Sequence, residues 1–241
     1  MRYAERFYRD FSGTERWTSF RVKIETSDLY VRADKDYSGV IDRVVTEARD
    51  ALRGHIAGQE CFLSSFDPVP RMEAGHPVIA AMYRASEAAG VGPMAAVAGA
   101  IAEHAGRAIL DSSGEVLVEN GGDIWLAVRD AVTLAVYAGA SRFSGALGIR
   151  MAPERTPAGV STSSGRVGHS FSFGKADAVT IIATDAALAD AVATRAANLV
   201  PIAGDLEEAA AYAMAVQGVR GILVIRGDRM LAQGEIELVK P

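Results

Sequence analysis

Three short segments of the chain carry residue types that could do chemistry. The first is Glu119-Asn120-Gly121-Gly122-Asp123-Ile124, between two apolar stretches. Paired glycines let a ligand or another backbone come close, and their exposed N–H groups can bind an anion. Asp123, at the corner, offers a carboxylate for a metal or for taking a proton, and Glu119 is a second proton acceptor. The same residues also make a tight hairpin turn with Asn and Gly at positive φ. The second segment is Gly159-Val160-Ser161-Thr162-Ser163-Ser164-Gly165-Arg166, followed by Gly168-His169-Ser170. Hydroxyls and N–H groups beside an arginine and a histidine form a cradle for phosphate, with a flexible polar loop as the plain alternative. The third is Ala189-Asp190-Ala191-Val192-Ala193-Thr194. Asp190 and Thr194 are four positions apart, so on a helix their oxygens share a face. Leu188, Val192 and Leu199 form the stripe opposite, while Ala187, Ala191, Ala197 and Asn198 keep the Asp190–Thr194 face small and uncharged. A covering ligand or metal explains such a face, and so does a solvated face that merely lacks charge.

Periodicity locates the elements that must position these segments. Phe20, Val22 and Ile24 alternate with Arg21, Lys23 and Glu25, and Leu29, Val31 and Ala33 resume the pattern, so residues 18–34 read as a β-hairpin. From Gly39 the spacing changes to three and four, predicting an amphipathic helix that ends near Gly54. Residues 58–70 read as irregular. Helices are expected over 77–89 and 94–108, the second buried on most sides. Strands follow at about 115–119, 124–128, 132–139 and 146–151, and 153–176 reads as a long ordered loop or a broken strand pair. A buried strand at 178–183, helices over 185–200 and 205–217, and strands at 221–226 and 235–239 complete the chain. Strands in runs and helices in blocks argue for an α+β fold with mainly antiparallel sheet, either a single domain over 1–241 or two intimately joined halves.

Composition narrows the function classes. A net charge of −5, with dispersed basic residues, gives no electrostatic footing for nucleic acid. Cys61 is the only cysteine, which precludes an intramolecular disulfide and a Cys-based zinc cluster. His55, His76, His104 and His169 show no metal-ligand spacing on a common helix face. No dinucleotide-binding glycine motif follows a strand, and Gly174-Lys175 lacks the P-loop frame. The N-terminus is charged throughout, and no window approaches the ~20 apolar residues that span a membrane. The expectation is a cytoplasmic chain without membrane or nucleic-acid partners.

In chain order, the three segments resemble the signature of ApbE-like FAD:protein FMN transferases: a Gly-Gly-Asp turn, a Thr-Ser-Gly segment, and a helix beginning Ala-Asp-Ala with a threonine four after the aspartate. Here these are Gly121-Gly122-Asp123, Ser161 to Gly165, and Ala189-Asp190-Ala191 to Thr194. The Gly99–Glu103 region is loosely similar to the family's earlier helix with its Gly-x-x-Lys-Gly element, although Ala102 and Glu103 stand about where the lysine falls. The segment after His169 reads Ser170-Phe171-Ser172-Phe173-Gly174 where the family has Ile-Ile-Asp-Pro, which marks a divergent branch.

The resemblance implies an ApbE-like α+β architecture, related to the T-fold, and Mg²⁺-dependent cleavage of FAD with transfer of FMN to a threonine of an acceptor protein. It implies metal ligation by Asp190 and Thr194, and a flavin or ribityl-phosphate site lined by Asn120, Gly121, Gly122 and Asp123. It also implies phosphate contacts from Thr162, Ser163 and Gly165, and a substrate-side role for His169. His169 and Asp123 are the catalytic candidates. Two alternatives stand beside this reading: a non-catalytic binding module for another small anionic metabolite, and a structural role in which the Ala/Gly-rich helix 94–108 packs a homodimer.

Overall fold

The computed structural model describes residues 16–163, 176–200 and 206–241. The N-terminal alternation becomes β1 (Thr18–Ile24) and β2 (Ser27–Ala33), paired from Ile24↔Ser27 to Thr18↔Ala33. Glu25 turns the corner at φ 53°, and its carboxylate takes the guanidinium groups of Arg49 and Arg53. Those arginines belong to α1 (Ser38–Gly58), whose buried stripe Ile41, Val45, Ala48 and Leu52 follows the predicted period. The helix runs past Gly54 because that glycine has a helical φ and meets nothing within 4 Å, so it costs some helix propensity but no packing. Within the stretch expected to be irregular lies the short α2 (Cys61–Ser64).

α3 (Pro77–Ala89) starts with His76 as its cap, the ring Nδ1 accepting the Val78 N–H at 3.2 Å, and stops at Gly90 in the left-handed conformation. A 3₁₀ turn (Pro93–Ala96) then leads into α4 (Val97–Ser113), shifted toward the C-terminus relative to the expected 94–108. β3 (Val116–Asn120) and β4 (Asp123–Ala127) meet at Gly121 and Gly122, whose φ values of 75° and 108° need glycine. The chain continues through β5 (Val132–Ala135), β6 (Gly148–Met151), β7 (Ala158–Ser163), β8 (Ala178–Ala183), α5 (Ala186–Asn198), α6 (Leu206–Ala215), β9 (Val219–Arg226), β10 (Arg229–Gly234) and β11 (Leu238–Val239).

β7 decides between the two readings of 153–176, a long ordered loop or a broken strand pair, in favour of strand over Ala158–Ser163. It is a central strand, paired with β4 on one side and β8 on the other. Its apolar period is hidden because Gly159 lies too close to α5 for a side chain and Ser161, on the same face, is polar. β10 was not expected: five of its six residues are exposed, so no buried apolar face marks it in the sequence.

All strand pairs are antiparallel, and the described strands form one eight-stranded sheet, β1-β2-β3-β4-β7-β8-β9-β10, and one three-stranded sheet, β11-β6-β5. The fold is therefore α+β with mainly antiparallel sheet, as the segregation of strands and helices predicts. Each face of the large sheet buries its own core. Val118, Trp125, Ile181 and Val224 pack against the helices. Leu126, Val160, Ile182 and Leu223 pack toward Leu134, Ile149 and Met151 of the small sheet. Period-two alternation thus assigns every residue of β3, β4, β7 and β8 to the helix side or the small-sheet side. No single helix among the described residues is long and apolar enough to cross a membrane.

Candidate functional site

The carboxylate of Asp190 is the centre of the site. Asp185 caps α5, its side chain accepting the Leu188 N–H at 2.9 Å. The Ala186 N–H, another of the unpaired donors of that first turn, is taken by Glu103 of α4 at 2.8 Å, and Glu103 in turn is held by Arg107. Backbone closeness does the rest. A Cβ on Gly99 would lie 2.1 Å from the Ala186 carbonyl oxygen, and one on Gly159 would lie 2.3 Å from the Ala186 Cα. Only glycine at both positions lets α4 and β7 grip the first turn of α5. One turn further along, Asp190 meets the N-terminus of α4.

There the Gly99 N–H donates to a carboxylate oxygen of Asp190 at 3.0 Å, with the Ala98 N–H beside it. These are orphan donors at the positive end of the α4 dipole, a natural seat for an anion. Even so, enclosure of the carboxyl group raises its pKa well above the usual carboxylate range. The nearby Asp123 carboxylate raises it further, and the two N–H groups pull only partly the other way. The neutral or cation-bound form is therefore favoured at this spot.

Asp123 reaches the site from the sheet. It opens β4 on the same face as Trp125, whose ring packs under Gly106 of α4, where a Cβ would come within 2.2 Å. Its register partner across the hairpin is Asn120, which donates from Nδ2 to the Ala98 carbonyl at 3.1 Å and accepts the Asp28 N–H at 3.4 Å. Asn120 thereby ties the hairpin to the α4 N-terminus. Gly121 and Gly122 form the turn itself, and the Gly122 N–H is taken by Glu119 at 2.8 Å. Glu119 is buried and committed to that turn on the opposite face of β3 from Asn120.

Thr194, four residues after Asp190, shares its helical face and is partly buried. Asp190, Asp123 and Asn120 are thus brought together around the start of α4, with Thr194 one helical turn beyond Asp190. Thr162 and Ser163 lie beside the hairpin, with the Thr162 N–H donating to the Gly122 carbonyl at 3.3 Å. Their side chains diverge. Thr162 faces the small sheet, its hydroxyl 2.9 Å from that of Thr180, whereas Ser163 faces the helices. Gly165 and His169 lie outside the described residues.

Four residues around the candidate site were given no site role by the sequence reading. The Gly99 and Ala98 amides are invisible as side chains, although the Gly99–Glu103 stretch was singled out for its resemblance. Glu103 reads as an ordinary helix-surface acid until α5 arrives. Ser161 belongs to the second segment, in a stretch read as a long ordered loop or a broken strand pair, and only the strand register sets it on the Asp123 face.

His76 and His104, from different elements, stack edge to face with ring centroids 4.8 Å apart. Among the described residues no group of three or more His, Cys, Asp or Glu side chains could hold a metal ion. A cation at Asp190 would therefore draw on two carboxylates, hydroxyls and its own water or phosphate oxygens. That donor set suits Mg²⁺, which binds through one or two carboxylates and keeps several non-protein oxygens.

The antiparallel sheet, the helix block upon it and the Gly-Gly-Asp hairpin against an Asp-bearing helix define an ApbE-type protein. The family model described as AbpE bacteria matches residues 9–236, so the chain belongs to that family. It is 42% identical over 219 residues to the UPF0280 protein of Methanopyrus kandleri, covering 87% of this chain and 88% of that one. It is 37% identical over 232 residues to the UPF0280 protein of Methanocaldococcus jannaschii, covering 93% and 94%. The fold is similar to that of the Pseudomonas stutzeri flavinyl transferase ApbE in its apo form, with a TM-score of 0.54 at 16% identity over 90% of this chain and 94% of that one.

Proposed function

We propose that the protein binds a flavin nucleotide together with Mg²⁺ and transfers the FMN part of FAD to a threonine hydroxyl of an acceptor protein. The observation that carries this reading is the meeting of Asp190 and Asp123 at the N-terminus of α4. Two carboxylates near enough to feel each other's charge in a poorly solvated place repel unless a proton or a cation offsets them. Asp190 and Thr194 would hold the cation, with Asp123 as a further ligand. When bound, Mg²⁺ supplies charge neutralisation at the pyrophosphate oxygens during phosphoryl transfer.

In that reaction the threonine oxygen forms a bond to the FMN phosphorus, the P–O bond to the AMP phosphate breaks, AMP leaves, and the hydroxyl proton passes to a base. His169 is the candidate base, and Asp123 is the other if it does not ligate the cation. Asn120, Gly121 and Gly122 set the hairpin beside the ligand, leaving the backbone room to approach it. Ser163, on the helix-facing side of β7, and Gly165 contribute to the phosphate cradle. Thr162 contributes through its backbone, since its hydroxyl is engaged with Thr180.

The test is thermal denaturation of the protein with FAD, FMN and ADP, each with and without Mg²⁺, followed by an assay for AMP release. Saturation with FAD and Mg²⁺ at a hundred times Kd stabilises by about 2.7 kcal/mol, a shift on the order of 5–10 °C for a chain of this size. A shift that Asp190→Asn removes, with AMP released in the presence of a threonine-bearing acceptor, supports transfer. A shift without AMP release reduces the reading to a binding module. No response to any flavin nucleotide overturns it.

A further inference from the structure

Ser161 has a fully buried hydroxyl, at 0% exposure, with no hydrogen-bond partner among the described residues. A buried hydroxyl without a partner is unfavourable, because it has given up its water and gained nothing. Its position is specific. In the sheet register Ser161 stands directly beside Asp123 on β4, with Ile181 on its other side. Side chains at directly opposed positions share a face, so Ser161 lies on the helix side with Asp123. Two residues earlier on the same face, Gly159 touches the α5 backbone at Ala186, and Asp190 is one helical turn on from Ala186. Asp190 in turn is close enough to Asp123 to feel its charge. Three oxygen-bearing side chains from β4, β7 and α5 therefore converge, and one of them waits for a partner.

We infer that the Ser161 hydroxyl is a third oxygen of the Asp123–Asp190 site and that its missing partner is the hydrated divalent cation held there. This rests on the Mg²⁺ reading above and extends it to a residue on the floor of the site. Ser161 is a positioning residue: its oxygen fixes the cation, directly or through a water of its shell, against the sheet. Nothing is transferred to or from it. A serine suits this place because a hard oxygen is what Mg²⁺ selects.

The experiment titrates Mg²⁺ against thermal stability, without nucleotide, for wild type, Ser161→Ala, Ser161→Cys and Asp190→Asn. In wild type Mg²⁺ raises Tm, and in Asp190→Asn it does not. In Ser161→Ala and in Ser161→Cys, which keeps the volume but offers a soft sulfur, the Mg²⁺ midpoint rises on the order of tenfold or more, the usual cost of losing a group that orients a bound metal. The metal-free Tm of Ser161→Ala equals or exceeds that of wild type, since the unpartnered hydroxyl is gone; a role in packing or in a protein hydrogen bond would lower it. If wild type and Asp190→Asn behave as stated but both Ser161 variants keep the wild-type midpoint within threefold, the Ser161 assignment is wrong and the Mg²⁺ reading survives. If wild type itself does not respond to Mg²⁺, both fall.

Discussion

The Gly99 amide of one helix and the Asp190 carboxylate of another are 3.0 Å apart, a hydrogen bond that joins the α4 N-terminus to the α5 face. It is possible only because Gly99 lacks a side chain, since a Cβ there would be 2.1 Å from the Ala186 carbonyl oxygen and 3.0 Å from the Asp190 Cβ. Gly99→Ala must push the helices apart, as must Gly159→Ala against the same residue from the sheet side. Each is expected to cost about 1–3 kcal/mol by overpacking. Gly54→Ala, in an open stretch of α1 with a helical φ, is the contrast and gains about 0.5–1 kcal/mol. Chemical denaturation of the three variants checks the order.

Removing the Asp190 charge has a sign that depends on pH. Its folded-state pKa lies well above the usual carboxylate range through burial and the Asp123 charge. Between the ordinary carboxylate range and that raised midpoint, the folded state holds a proton that the unfolded chain has lost. Stability of the metal-free protein therefore falls as pH rises through this window. Asp190→Asn flattens that slope and melts higher than wild type at neutral pH in a chelator. Tm measured from pH 4 to 8 with EDTA, and again with Mg²⁺, tests both halves.

The histidine pair titrates in the opposite sense. Burial lowers the pKa of His76, and burial together with the neighbouring His76 ring lowers that of His104, with Glu47 pulling both upward by a smaller amount. Their neutral forms favour folding above the ordinary histidine pKa, and this contribution is lost as pH falls through the depressed folded-state values. His76 cannot be protonated at Nδ1 without giving up the Val78 N–H. His76→Asn, which keeps a capping oxygen and removes the titration, is expected to lose less stability than wild type on moving from about pH 7 to pH 5.5.

Glu103 holds the first turn of α5 through the Ala186 N–H at 2.8 Å. Glu103→Ala leaves that donor without its acceptor and is expected to cost about 1–2 kcal/mol, a fall in Tm of roughly 2–8 °C for a chain of this size. Glu103→Gln, which keeps the acceptor oxygen, recovers most of it.

The hairpin β1–β2, the long first helix and the segregation of strands from helices were legible because each writes a clear period into the sequence. β7 was legible only through the alternative of a broken strand pair. Gly159 must be small where α5 lies against the strand, and Ser161 on the same face is polar, so the apolar alternation that identifies a strand is erased. The same contact explains the α5 face. Its lack of charge at Ala187, Ala191 and Ala197 was legible as a sign of cover, and these residues are buried within the protein itself. Asp190, Thr194, Asp123 and Asn120 could be grouped from the family resemblance. The Ala98 and Gly99 amides and Glu103 could not, since their roles exist only where two elements distant in sequence meet.

The glycine grip on Ala186 has a thermodynamic corollary. The α5 half of the site is set by backbone contacts, so it exists at full precision before anything arrives. An incoming ligand has little chain entropy to remove there, and its binding heat capacity should reflect the surface it covers rather than a segment that folds around it. Loosening Gly99 or Gly159 would convert a rigid receptor into one that must order itself at each encounter.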